Sequence, residues 1–320
     1  VAAMKLLEEP EASPNRPRGP LGDLEQRHRD DLRMGYTQLQ EAVPSSFGKL
    51  FSSYNEAFSR DWWRISRCSE RIKVVNLGGS AVGTGITVPR FYIMEVVSQL
   101  QHLTSLPVTR GENLTDATQN MDSFVEVHGI LKAHAVNLEK IASDLRLLSS
   151  GVVDQHEVEI PSRQVGSSIM PGKVNPVISE FIISAVHKIY SNDMLIGSLS
   201  GQGALDLNAY LPMNGHALLD TLKLLAAANE TLEKNLLSAL RINKDQSLKK
   251  LLASPSVTTA LVPFIGYKMA SVLAEKMKAE QKDIYQANKE LDLMRIEKLD
   301  DLLKPQNLLK LGFSVKDIMD

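Results

Sequence analysis

Apolar residues recur at spacings of three and four along most of the chain, and the long runs of that pattern set the expected elements. From Ser45 to Val75 the pattern is helical, with Phe47, Leu50, Phe51, Tyr54 and Phe58 on one face and Pro44 suited to the first turn. Pro89 opens a further helix to about Leu103. The clearest run, from about Asp116 to Ser149, carries two stripes. One holds Ala117, Met121, Phe124, Leu131, Ala135, Leu138, Ala142 and Leu145, and the other Val127, Ile130, Ile141 and Leu148. Two stripes mean burial on more than one side, as in the core of a helical bundle. Long helices are also expected from Pro176 to about Leu199 and from about Pro212 to Leu240. Val1 to Glu9 reads as the end of a helix, and "LGDLEQRHRDDLRM" as a charged, solvated helical segment. Beyond Arg241 the elements shorten, and no segment alternates convincingly as a strand. The expected fold is all-α: a long-helix bundle domain over residues 1–240, atypical in 1–33, and a small helical domain over 241–320.

Punctuation refines this outline. "PEASPNRPRGP", from Pro10 to Pro20, cannot be a helix interior and reads as a turn or linker. "NLGGSAVGTG", Asn76 to Gly85, reads as a tight glycine-rich connection between helices. A phosphate cradle is the sharper alternative, but no strand is expected before it and no Lys-Ser/Thr pair follows. His128 falls on the first stripe of the longest helix and reads as a satisfied core histidine rather than a ligand or base.

Composition narrows the function. With 320 residues, 43% of them hydrophobic, the chain can build a sizeable core. A formal net charge of −2 argues against a nucleic-acid surface or a polybasic membrane patch. The single cysteine, Cys68, supports neither a disulfide framework nor a cysteine zinc site, and a reducing cytoplasm is expected. No metal-ligand spacing is visible among the scattered histidines. No apolar run is expected to reach the length of a membrane span, and the start lacks the order of a signal peptide. It also lacks an initiator methionine, which suggests a fragment.

One stretch does not fit its helical flanks: "QVGSSIMPGKVNP", Gln164 to Pro176. Asn175-Pro176 is a good helix start, with Asn as cap and Pro at the first helical position. The loop therefore feeds the positive end of a helix dipole, where exposed N–H groups attract anions. Lys173 adds a full charge there, and Gly166 and Gly172 let the loop bend and its backbone approach a ligand. The residue types suit a carboxylate or phosphate site with a serine hydroxyl, Ser167 or Ser168, at its edge.

"GSSIMPGKVNP" resembles the signature loop of the fumarase/aspartase superfamily, whose members eliminate a group β to a carboxylate and release fumarate. "MGYTQLQEAVP" (Met34 to Pro44) resembles that family's Gly-Arg-Thr-His/Gln-Leu-Gln-Asp-Ala motif. "NLGGSAVGTG", "ENLTDAT", "VHGILK", "DLRLLSSG", "ALDLNAYLP" and "VPFIGY" resemble other blocks, so the resemblance covers nearly everything from Met34 onward. It implies a helical bundle at the centre of a homotetramer, with active sites shared between subunits. It further implies Ser167 as the catalytic base, and Lys173, Asn175, Thr37 and Gln38 as contacts to a small dicarboxylate substrate. Gly166, Ser168, Ile169, Met170 and Gly172 then form and support the loop.

Gln38 stands where fumarases typically carry histidine and several aspartases glutamine, which favours elimination of ammonia from L-aspartate, a step of amino-acid metabolism. The alternatives are a fumarase and a non-catalytic bundle protein of the same fold. No cofactor is expected, with magnesium at most an activator.

The sequence departs from the family in three places. No block matching the family's amino-terminal substrate contacts precedes Met34, so the chain is expected to be truncated or not competent alone. Residues 10 to 30 interrupt a stretch that is one continuous helix in the family. Tyr36 replaces the usual arginine, and "GVVDQHEVEIP" replaces a glycine-rich, arginine-containing stretch.

Overall fold

The computed structural model describes residues 1–8, 19–152, 155–164, 169, 170 and 172–314. In chain order the elements begin with α1 (Ala2–Glu8), α2 (Pro20–Arg27), β1 (Leu32–Thr37), β2 (Gln40–Ser46), α3 (Phe47–Ile65), α4 (Cys68–Ile72) and β3 (Val74–Val75). They continue with α5 (Arg90–Thr104), β4 (Thr109–Arg110), α6 (Asp116–Gln119), α7 (Asp122–Leu148), β5 (Val158–Glu159), α8 (Val177–Ser200) and α9 (Leu211–Glu230). After α9 come a π-helical segment, Thr231–Leu236, a 3-10 turn, Leu237–Ala239, and then β6 (Arg241–Ile242) and α10 (Lys244–Ala253). A second 3-10 stretch, Pro255–Leu261, leads into α11 (Val262–Glu280), α12 (Ile284–Leu291), α13 (Ile296–Leu302) and α14 (Pro305–Leu308). Helices dominate, as the apolar spacing requires.

The chain forms two compact units. The first takes residues 1–19, 56–147 and 160–239, and the second 20–55, 148–159 and 240–320. The segment expected as a terminal domain from 241 onward thus shares its unit with two earlier stretches of chain.

The first unit is built on α7, α8 and α9. Leu131, Leu138, Ile141 and Leu145 of α7, Ile182, Val186 and Ile189 of α8, and Leu218, Leu222 and Leu225 of α9 are buried. Each such side chain contributes roughly 1.5–3 kcal/mol relative to exposure. Most of the two stripes expected on α7 is therefore core. Helix α1 packs on α9 and α4. A smaller cluster gathers Met4, Val97, Leu106 and Val108. The run expected as one helix from Asp116 breaks at Asn120, whose ψ of 138° is extended, so α6 and α7 are separate. Asn120 instead donates to the Asp116 side chain at 2.6 Å, an example of a short polar side chain competing with the helix.

A two-residue strand, β3, does precede the glycine-rich loop, which the apolar pattern is too short to signal. The loop serves packing. Gly83 has φ of 80°, and a Cβ there would lie 2.3 Å from the Thr115 backbone, so only glycine fits.

In the second unit β1 and β2 form an antiparallel hairpin, Leu32 opposite Ser46 and Thr37 opposite Gln40. The hairpin was not expected. Leu32, Arg33 and Met34 are buried in succession, so the alternation that marks a strand is absent. "LGDLEQRHRDDLRM" is helical only as far as Arg27, with Leu21 and Leu24 buried. Pro44 lies in β2 opposite Met34 rather than in a helix. Helix α3 starts at Phe47, and Ser46 Oγ accepts from the Lys49 amide at 3.1 Å as its cap. Leu32 and Met34 pack with Leu251, Val257, Leu261, Leu273, Met277, Ile284 and Leu299 to form the core of this unit.

One stretch, Pro255–Glu280, is long and apolar enough to cross a membrane by length and composition, against the expectation from the sequence. It is interrupted at Gly266 (φ 77°, ψ 159°), and Val257, Leu261, Leu273 and Met277 within it belong to the core just described. Core burial of one side accounts for part of its composition, while Tyr267, Met269 and Val272 are exposed.

Candidate functional site

Thr37 and Gln38 sit at the tip of the β1–β2 hairpin, both exposed. The two connecting residues, Gln38 (φ 51°) and Leu39 (φ 61°), are both left-handed. Positive φ at both positions matches the strand twist, but asparagine and glycine are the usual occupants. A left-handed non-glycine residue costs about 1–2 kcal/mol. The tip is therefore strained and presents an amide and a hydroxyl to solvent.

Support for this tip comes from below. The register shifts between Met34 and Tyr36. Gly35 marks this bulge, where a Cβ would meet the Val43 carbonyl at 2.8 Å. The Tyr36 hydroxyl donates to Glu157 Oε1 at 2.5 Å and lies 3.2 Å from Gln155 Oε1. Burial, and then the hydrogen bond and charge of Glu157, push the Tyr36 phenol well above its ordinary range, so it stays a donor.

Glu157 is fully buried. Its Oε2 lies 3.5 Å from Arg33 Nε, an ion pair in which neither atom makes a hydrogen bond. The Arg33 guanidinium lies 5.4 Å from the ring centres of Tyr36 and Phe47. Main-chain bonds fix Glu157, its amide donating to Leu148 O and its carbonyl accepting from Asn243. Lys250 Nζ donates to the Gln155 carbonyl at 2.6 Å. On the other strand, Glu41 accepts from Ser254 Oγ at 2.5 Å. Arg33, Gln155 and Glu157 were not singled out individually from the sequence. The one signal was that Tyr36 and residues 151–161 depart from the family pattern.

In the first unit, Lys173 and Asn175 occupy the segment leading into α8. Gly166, Ser167 and Ser168 lie outside the described residues. Ile169 and Met170 are exposed, Gly172 has φ of 82°, and the Lys173 amide donates to Met170 O at 3.2 Å. The expected cap is displaced by one residue. Pro176 (φ −80°, ψ 51°) occupies the cap position with no side-chain bond, and α8 begins at Val177. The ψ of Pro176 is not helical, so Asn175 is held outside capping reach. Among the described residues no side chain accepts from the first-turn N–H groups of α8. An exposed lysine beside uncapped helix donors favours an anion. Glu180, in that first turn, pairs with Arg146 at 3.6 Å.

His128 is buried and bridges Asp193 (2.9 Å) and Thr221 (2.8 Å). Burial pulls its pKa down, against the opposing pull of Asp193. The core reading of this residue agrees with that environment. Burial of Asp193 opposes its ionisation, but bonds from Lys132 and His128 outweigh it and leave the carboxyl below its ordinary range. Among the described residues no group of His, Cys, Asp and Glu is arranged to hold a metal ion. A cavity of about 640 Å³ in the second unit, lined by Lys49, Phe264, Lys298 and Asp301 among others, contains none of the expected site residues.

A family profile described as "Lyase" matches residues 20–190, and one described as "Fumarase C C-terminus" matches residues 257–310. The aspartate ammonia-lyase of Helicobacter pylori is 36% identical over 279 residues, 87% of this chain and 60% of that protein. That of Bacillus subtilis is 35% identical over 290 residues, 90% of this chain and 61% of that protein. The chain thus spans about 60% of the length of these relatives. Among solved structures, the class II fumarase of Schistosoma mansoni superposes with a TM-score of 0.83 at 27% identity, covering 95% of this chain and 67% of that one.

Proposed function

We propose, for a chain that belongs to the fumarase/aspartase superfamily of lyases, that it eliminates ammonia from L-aspartate to give fumarate. The observation that carries this reading is Gln38, presented and exposed at a strained hairpin tip. An amide cannot donate a proton as an acid. Hydroxide leaving malate needs an acid, whereas an ammonium group leaves as neutral ammonia and needs none. Curated relatives named aspartate ammonia-lyases, at 34–36% identity, support the same choice.

In this mechanism Ser167 takes the proton from the carbon beside a substrate carboxylate. The electron pair of that C–H bond moves into the carboxylate and forms an aci-carboxylate dianion. Lys173, Asn175 and the uncapped N–H groups of α8 stabilise the developing charge. The pair then returns to form the carbon–carbon double bond as the C–N bond breaks and ammonia leaves. A serine oxyanion is a usable base only when held by donors in a closed, water-poor loop, and the glycines permit such closure. Thr37 and Gln38 hold a substrate carboxylate. The chemistry needs no cofactor, and magnesium would enter only as an activator.

Exposed apolar side chains on the long helices, Val125 and Val136 of α7 and Phe181 and Met194 of α8, support assembly into a homotetramer with shared sites, in the cytoplasm.

The deciding experiment follows fumarate absorbance with L-aspartate and with L-malate. Fumarate from aspartate alone supports the proposal, and fumarate from malate alone replaces it with a fumarase. Silence with both substrates, from a folded assembly, favours the non-catalytic bundle. Where activity is found, Ser167→Ala is expected to abolish turnover and leave assembly intact. Near-normal turnover in that variant would remove Ser167 from its role.

A further inference from the structure

The sequence departs from its family at Tyr36 and again in residues 151–161, two places far apart in the chain. In the second unit these departures touch. Tyr36 Oη bonds to Glu157, with Gln155 beside it. A tyrosine in place of an arginine removes a charge, and the acceptor it meets is a fully buried carboxylate. That carboxylate also faces Arg33, at 3.5 Å and without a hydrogen bond. Leaving a buried carboxylate short of donors is costly, so the Tyr36 hydroxyl is under strong demand in this arrangement.

The same residue adjoins the strained tip. Tyr36 directly precedes Thr37, and the bulge at Gly35 sets which way its ring leaves the strand. Its cross-strand partner, Glu41, is pinned in turn by Ser254. Left-handed Gln38 and Leu39 persist only if their surroundings over-determine them. The anchors one step below the tip, on both strands, supply that constraint.

We propose that Tyr36, held by Glu157 and Gln155, is a positioning residue that fixes the Thr37–Gln38 tip in its binding conformation. This rests on the reading that the tip holds a substrate carboxylate. Arginine in the family and tyrosine here are then alternative solutions, each tied to its own 151–161 sequence. The Tyr36 hydroxyl touches no reacting atom and acts through the tip.

The test uses the full chain with Tyr36→Phe, Glu157→Leu, Glu157→Gln and Gln38→Ala. Hydrogen exchange at residues 37–41 reads the tip, and succinate affinity by calorimetry reads carboxylate binding. Tyr36→Phe and Glu157→Leu are expected to speed exchange at the tip about tenfold and to leave α7 to α9 unchanged. Glu157→Gln keeps an acceptor oxygen for the phenol and is expected to restore slow exchange, a rescue that simple loosening of the fold would not give. Both disruptive variants should weaken succinate about tenfold, as should Gln38→Ala. With L-aspartate, they should raise KM more than they lower kcat. Unchanged tip exchange in Tyr36→Phe and Glu157→Leu would overturn the proposal. Faster exchange at the tip, with no succinate affinity in the unsubstituted chain or none lost in Gln38→Ala, would instead overturn the carboxylate reading and leave the positioning contact standing.

Discussion

Each unit buries an acidic side chain, and the two are treated differently. In the first, Asp61 of α3 accepts from His134 at 3.0 Å, Asn137 at 2.7 Å and Arg64 at 3.4 Å. His134 also meets Asn229 at 2.9 Å, and its ring packs edge-on against Phe58. None of the atoms of that group is among the buried polar atoms left without a hydrogen bond, and the backbone around it is regular helix. In the second unit, Glu157 has one short bond from Tyr36, an ion pair lacking a hydrogen bond, and an unbonded oxygen. The backbone two residues beyond Tyr36 is left-handed. A satisfied network on regular backbone does the work of a scaffold. A partly satisfied one beneath a strained, exposed turn marks a place where stability has been given up for geometry.

The contrast can be broken most directly at its stable end. Asp61→Ala removes the shared acceptor of His134, Asn137 and Arg64 and is expected to cost about 3–5 kcal/mol in denaturant unfolding. A loss below about 1 kcal/mol, the size of one ordinary hydrogen bond, would mean that the network is not the scaffold described.

A smaller effect is expected with pH. His128, between Asp193 and Thr221 in the same unit, has its folded pKa below the ordinary 6.5, chiefly through burial. The unfolded chain therefore binds the proton more readily. The stabilising contribution is complete above pH 6.5 and is lost as pH falls through the depressed folded value. Melting temperature should fall from pH 7 toward acid, and His128→Gln should flatten that slope above the carboxylate range. An equally steep slope in the variant would assign the acid sensitivity elsewhere.

The smallest expected effect is at the strained end. Leu39→Gly relieves a left-handed residue worth about 1–2 kcal/mol against an entropic cost of about 0.5–1. Stability should therefore rise by about 0.5–1 kcal/mol in urea titration. A loss of stability would show that the Leu39 side chain, though exposed, contributes contacts that outweigh its strain.

How much of this was legible follows from what each feature requires of sequence. The long helices α5, α7, α8 and α9 announce themselves through apolar spacing, and the loop before α8 through residue types foreign to its flanks. The hairpin was not legible, because Leu32, Arg33 and Met34 are all buried and erase the two-residue period. Nor was the burial of Arg33 and Glu157, since charged residues are ordinarily exposed and only the fold places them face to face. Thr37, Gln38, Lys173 and Asn175 could be named from motif resemblance. Tyr36 and its partners showed only as departures, because a compensating pair becomes a contact only in three dimensions.

The π-helical segment after α9 has a practical consequence. Thr231–Leu236 closes its backbone bonds over five residues instead of four, so the helix there carries slack that α7 and α8 do not. Chain length is negotiable at that point. Removing one residue from 231–236 is expected to let the segment relax to ordinary α-helix, whereas the same deletion in the middle of α9 would turn the apolar positions between it and residue 231 away from the core. Melting temperatures of the two deletions should separate widely, and the tolerant site is where a change of one residue in helix length can be absorbed.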